Sequence, residues 1–194
     1  DITERQKAAD DLQRRASYDE LTQLPNRSLF SDHLQRAIAY TKRHPERYAV
    51  LFCDVDRFKE INDVFGHALA DQVLVHTARR LQGCVRPEDV VARLGGDEFT
   101  ILLSGVHGLE DATDAAERIR LEMAKPLFLS GHEIKLTMSV GIALSSPAYT
   151  EAEQALHDAD SAMYAAKAQG RACCVAFDAT VSACRSERHC LGIE

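Results

Sequence analysis

Several common classes of protein are excluded by what this sequence lacks. None of its six cysteines (Cys53, Cys84, Cys173, Cys174, Cys184 and Cys190) forms a C-x-x-C pair, so a zinc ribbon or thioredoxin-like redox centre has no support. Adjacent Cys173 and Cys174 are poorly placed to bridge each other, and reduced thiols in a cytoplasmic setting are the expectation. No apolar run approaches the ~18 residues of a membrane span. A charged start from Asp1 does not resemble a signal peptide, and the missing initiator methionine reads as a piece cut from a longer chain, whose membrane attachment is left open. Excess basic charge is also absent. A net charge of −7 argues against a general nucleic-acid binder, although a few Lys or Arg residues and a metal suffice to hold a nucleotide on an acidic protein. The eight histidines are scattered, and no G-x-x-x-x-G-K-[ST] is present, which excludes a Walker-type phosphate cradle. There is no internal repeat.

What is present suits one soluble domain with short appendages. The 194 residues are 45% hydrophobic and 27% charged, enough for a full core. Residues 1–16 are polar and helix-favouring, without glycine or proline, and read as a connecting helix or short coiled coil. Residues 179–194 look equally peripheral. Between them, Leu34, Ala37 and Ile38 sit at helical spacing, and the run at 48–53 suits a strand buried on both faces. Val73, Leu74, Ala78 and Leu81 mark a helix. Two β-rich runs then flank Gly95-Gly96-Asp97, a hairpin signal, because glycine supplies the positive φ of a tight turn. Ala112, Ala116, Ile119 and Met123 mark another helix. Alternation from Ile134 through Leu144 predicts one unbroken strand, and Ala152, Leu156, Ala159, Met163 and Ala166 a last helix closed by Lys167 and Arg171. The order α-β-α-β-β-α-β-α predicts an α+β fold, a ferredoxin-like βαββαβ palm with helices on a mainly antiparallel sheet.

Chemistry concentrates in two places. Asp54 and Asp56 end the first strand, and residues i and i+2 of a strand share a face. An EF-hand loop fails because Phe58 takes the third ligand position and no glycine follows. On spacing alone, a turn stabilised by Asp side chains fits as well as a metal site. Asp97 and Glu98, at the hairpin tip, could lie beside the end of that strand. Carboxylates converging there would repel one another without a cation, and hard oxygen ligands favour Mg²⁺ or Mn²⁺. Lys59 lies in the right loop for a phosphate, whereas Lys167 and Arg171 on their own read more readily as favourable charge at a helix C-terminus.

The residues also resemble a family. RLGGDEF at 93–99 is similar to the signature of GGDEF domains. The rest of that pattern appears in order, with D-x-L-T-x-L-P-N-R at 19–27, D-x-D-x-F-K-x-x-N-D at 54–63, G-H at 66–67 and M-Y-x-A-K at 163–167. The resemblance covers 17–178 and implies a diguanylate cyclase, which condenses two GTP molecules into cyclic di-GMP and releases pyrophosphate. It implies that Asp54, Asp97 and the Val55 carbonyl hold Mg²⁺ or Mn²⁺, with Glu98 supporting or joining them. Asn62 and Asp71 would read guanine, while Lys59, Lys167 and Arg171 hold phosphates and Phe58 belongs to the substrate-binding loop. Asp97, Glu98 and Lys59 would form the catalytic set, without separating base from ligand. The resemblance further implies catalysis by a homodimer, one GTP per domain, and product inhibition at Arg86 and Asp89, supported by Arg118 or Arg120. An upstream PAS-like sensory domain and, more remotely, a following EAL domain are expected beyond this stretch. One departure stands out: Ala70 replaces the second glycine of the usual G-H-x-x-G-D, which is favourable if that position is helical. Two competing functions remain, an inactive GGDEF module that binds GTP or cyclic di-GMP, and another nucleotidyl cyclase on a similar palm.

Overall fold

The computed structural model describes residues 16–178. The chain runs through α1 (Arg27–Thr41), β1 (Arg47–Val55), α2 (Phe58–Phe65), α3 (His67–Gly83), β2 (Val90–Gly95), β3 (Glu98–Val106), α4 (Leu109–Met123), β4 (Leu127–Leu129), β5 (His132–Ile134), β6 (Met138–Leu144), α5 (Ala152–Ala168) and β7 (Cys174–Ala176). Five strands form one sheet in the order β2-β3-β1-β6-β7. All its pairings are antiparallel except that of β6 with β7. Strands β1, β2, β3 and β6 with α3 and α4 make the expected βαββαβ unit, and the fold is α+β.

β1 sits at the centre because it is apolar on both faces. Ala49, Leu51, Cys53 and Val55 join a core with Val73, Leu74 and Leu81 of α3 and Ile119 and Met123 of α4. Tyr48, Val50 and Phe52 join a second core with Phe30, Leu34 and Ile38 of α1 and Leu156 and Met163 of α5. Period-two alternation thus divides one strand between two cores. α5 lies so close to β6 that a Cβ on Gly141 would stand 2.8 Å from Met163 Cα, and closer still to Met163 N and Ala159 O.

Four features differ from the sequence expectation. The alternating strand is interrupted: β5 pairs only with β4 in a separate hairpin, and residues 135–137 lie outside any strand before β6 begins. Residues 58–65 form their own helix, joined to α3 by Gly66 at φ 79, a left-handed value that glycine adopts without a Cβ penalty. A short strand, β7, extends the sheet. Arg171 does not close the last helix, which ends at Ala168; it follows in a left-handed turn with φ 67. The connecting helix expected over 1–16 and the extension over 179–194 lie, but for Ala16, outside the described residues. Among the described residues no helix is long and apolar enough to cross a membrane.

Candidate functional site

The site is built at the C-terminal end of β1. Asp54 stands directly opposite Glu98 of β3 and Ser139 of β6. The tip of the β2–β3 hairpin is drawn onto this end, since Val55 N–H donates to Asp97 O at 3.3 Å. Gly95 and Gly96 shape the tip with φ of 145 and 53, which side-chain-bearing residues rarely adopt. Arg93 braces it from beneath. Its guanidinium donates to Gly96 O at 3.0 and 2.7 Å and to Asp19 Oδ1 and Oδ2 at 2.9 and 3.1 Å. Asp19 in turn accepts from Thr22 N–H and Thr22 Oγ1. Burial tends to raise its pKa, but these bonds from Thr22 and Arg93 outweigh burial and hold it below the usual carboxylate value. The sequence reading assigned Asp19 and Arg93 no role, although both lie in the motifs it used.

Asp54 is only 5% exposed. Lys167, the penultimate residue of α5, places its Nζ 2.7 Å from Asp54 Oδ2. Burial pushes Asp54 up to about 6; the Lys167 hydrogen bond opposes this, while the neighbouring charges of Asp97 and Asp56 reinforce it. Glu98 is also raised, first by burial and then by Asp160 and Asp97, with Arg27 and Lys167 opposing. Asp160 and Arg27 are thus neighbours of the site to which the sequence assigned no role, although Arg27 closes the motif at 19–27. Carboxylates that resist ionising, first because they are buried and then because acids neighbour them, suit a hard divalent cation; Asp54 and Glu98 are such groups, and with Asp97 they could supply the oxygen donors such an ion takes. Among the described residues no three His, Cys, Asp or Glu side chains already converge closely enough to hold one. Lys167 occupies that role on Asp54.

The remaining residues fall into three groups. Arg57, at φ 56, turns the chain from β1 into α2, where Glu60 N–H donates back to Arg57 O at 2.9 Å and the amides of Phe58 and Lys59 precede this first bond of the helix. Lys59 on that turn is exposed, whereas the Phe58 ring is only 8% exposed and packs into the core, so its backbone rather than its ring is left for a ligand. Asn62 and Asp71 lie on either side of the Gly66 joint, and Asn62 Oδ1 is 3.0 Å from His67 Nδ1. Ala70 is helical and buried, donating its N–H to Gly66 O at 3.2 Å, so alanine there meets no backbone penalty.

Arg86, Asp89 and Arg118 line one recess on the far side of the β2–β3 hairpin. Asp89 is engaged there by the backbone N–H groups of Arg86 and Ser104, each at 2.9 Å, so it clamps the turn rather than standing solvated. Arg120 points elsewhere, pairing with Glu117 at 2.8 Å.

Comparison with known proteins bears on the family and the fold. The family model described as diguanylate cyclase, GGDEF domain, matches residues 16–173. Diguanylate cyclase TpbB of Pseudomonas aeruginosa is 48% identical over 162 residues, 82% of this chain but 37% of its own length. The chain therefore spans little more than a third of that relative. The solved structure of an N-terminally shortened TpbB comprising only the GGDEF domain matches with a TM-score of 0.80 at 46% identity, covering 83% of this chain and 94% of that one. The coiled coil and GGDEF domain of DgcB from Caulobacter crescentus, solved in complex with c-di-GMP, matches with a TM-score of 0.82 at 28% identity, covering 90% of this chain and 93% of that one.

Proposed function

Because the chain belongs to the GGDEF family, we propose that residues 17–178 form a diguanylate cyclase domain that joins two GTP molecules into cyclic di-GMP. The observation that carries this reading is the gathering of Asp54, Asp97 and Glu98 at one strand end, with Lys167 lodged against Asp54. Crowded acids beside a lysine are what nucleotidyl transfer requires: oxygen ligands for a cation and an ammonium for a phosphate. Asp54, Asp97, Glu98 and the Val55 carbonyl would hold Mg²⁺ or Mn²⁺, which when bound neutralises phosphate charge and acidifies the attacking hydroxyl.

The chain's own residues supply position. Lys59, Lys167 and Arg171 hold the triphosphate, aided by the Phe58 and Lys59 amides that open α2. Asn62 and Asp71 read guanine, since a carboxylate accepts from the N1–H and N2–H₂ edge that adenine lacks. Asp97 or Glu98 takes the proton of the 3′-hydroxyl as it attacks the α-phosphate of the second GTP and pyrophosphate leaves. One domain binds one GTP, so two copies face each other as a homodimer. Cyclic di-GMP binds back at Arg86 and Asp89, and Arg118, which shares their recess, is the arginine that completes this inhibitory site. The domain acts in the cytoplasm under an upstream sensory domain of the longer protein.

Purified protein incubated with GTP and Mg²⁺, with products separated by chromatography, tests the reading. Cyclic di-GMP should appear and should vanish in Asp97→Ala at unchanged thermal stability. Binding of GTP or cyclic di-GMP without turnover, in a sample shown to be dimeric, would leave a binding module instead.

A further inference from the structure

The second carboxylate of the D-x-D pair has a different place from the first. Asp56 follows β1 and is 6% exposed. Its two oxygens are both engaged by neutral donors. Oδ1 accepts from Ser139 Oγ at 2.7 Å; Oδ2 accepts from Thr137 Oγ1 at 2.7 Å and from Ala172 N–H at 3.1 Å. Its own N–H donates to Thr137 O at 3.0 Å. A carboxylate so engaged has little capacity left to ligate an ion. What it holds is a backbone that would not hold itself.

Beyond α5 the chain turns through Gly170 at φ 115, Arg171 at φ 67 and Ala172 at φ 49. Two successive non-glycine residues in the left-handed region need outside restraint. Arg171 N–H is tied back to Ala166 O at 3.1 Å, within the helix end. Ala172 N–H is tied to Asp56. After this turn the chain enters β7, while Lys167 on the preceding helix end contacts Asp54.

We propose that Asp56 is a positioning residue: its buried carboxylate, by accepting from Thr137, Ser139 and the Ala172 amide, holds the left-handed turn after α5 and so sets where Lys167 and Arg171 stand against the phosphates. The inference rests on the GTP-binding reading above. It makes geometry, not charge, the property that position 56 must keep. Asparagine retains it, because its Oδ1 accepts from Ala172 and Thr137 while its Nδ2 donates to Ser139 Oγ, a hydroxyl that serves either way. Alanine does not. Glutamate keeps the charge but moves the carboxylate by a methylene.

The test compares Asp56→Asn, Asp56→Ala and Asp56→Glu by steady-state kinetics and by amide hydrogen exchange of residues 170–172. Ala and Glu should raise KM for GTP roughly tenfold, the loss of about one charge-assisted phosphate contact, with a smaller change in kcat. Asn should return KM to within about twofold of the unsubstituted protein. Exchange at Ala172 should speed roughly tenfold or more in Ala and Glu and stay slow in Asn. If Ala does not fold, Glu carries the comparison. Asn failing as badly as Ala, or exchange at Ala172 unchanged in both Ala and Glu, overturns the proposal. If the unsubstituted protein makes no cyclic di-GMP, the cyclase reading fails, yet the exchange measurement still decides whether Asp56 holds the turn.

Discussion

Two glycine-to-alanine substitutions should move stability in opposite directions. At Gly141, on β6 beneath α5, the added Cβ would meet backbone: 2.8 Å to Met163 Cα, and nearer still to Met163 N and Ala159 O. Ordinary contact begins near 3.4 Å. Because backbone atoms cannot swing aside, α5 must retreat as a body. A radial gap of ~0.5–1 Å already forfeits a quarter to a half of each dispersion well. The retreat would loosen Ala155, Leu156, Ala159 and Met163, all buried on that helix. Overpacking usually costs about 1–3 kcal/mol, and rigid obstacles place Gly141→Ala at about 3 or above. For a chain of this size that lowers Tm by roughly 6–12 °C. At Gly83, the last residue of α3, an added Cβ meets nothing within 4 Å and φ is not left-handed. There alanine should stabilise by about 0.5–1 kcal/mol through lower unfolded-chain entropy and better helix propensity. Thermal and urea unfolding of both variants under one buffer provide the assay. A Tm for Gly141→Ala within about 2 °C of the unsubstituted protein would show that α5 is not seated on β6 as described.

The Thr100 hydroxyl is fully buried in β3 and, with those of Ser31, Tyr48 and Thr77, makes no hydrogen bond among the described residues. Thr100→Val, nearly equal in shape, should therefore raise stability by about 1 kcal/mol in urea titration; a decrease would mean that the hydroxyl has a partner. Asp19 is held below the usual carboxylate pKa, so its stabilising contribution is present above that value and is lost as pH falls through the lower folded one. Asp19→Asn should accordingly be less stable near pH 7 and converge with the unsubstituted protein in acid, read from urea midpoints across pH. Equal separation at every pH would contradict this. Asp89→Ala should lower Tm as well as weaken cyclic di-GMP inhibition, because its carboxylate also caps two backbone amides. Arg86→Ala should affect inhibition alone, measured as the product concentration that halves the rate.

What the sequence made legible and what it hid follow from the range of the interactions involved. The central strand was visible because both its faces are buried, so its apolar run is continuous. The hairpin was visible because its turn needs glycine. The alternation from Ile134 to Leu144 misled, since Ile134, Leu136 and Met138 are all buried although the backbone leaves strand geometry between them. Burial has a period; pairing does not follow from it. β7 was hidden because three residues carry little pattern and their partner, β6, lies across a whole helix. The same division runs through the site. Asp54, Asp97 and Glu98 announce themselves as acids in short motifs. Their supports do not: Arg93 meets Asp19 from 74 residues away, and Asp56 meets Thr137, Ser139 and Ala172 from 81, 83 and 116 residues away. Hydroxyls and backbone amides occur everywhere in a chain, so nothing local marks the few that hold a charged group in place. A sequence therefore tells more readily which atoms could react than which atoms keep them there. In this protein that second set reaches from the residues before α1 to the turn after α5.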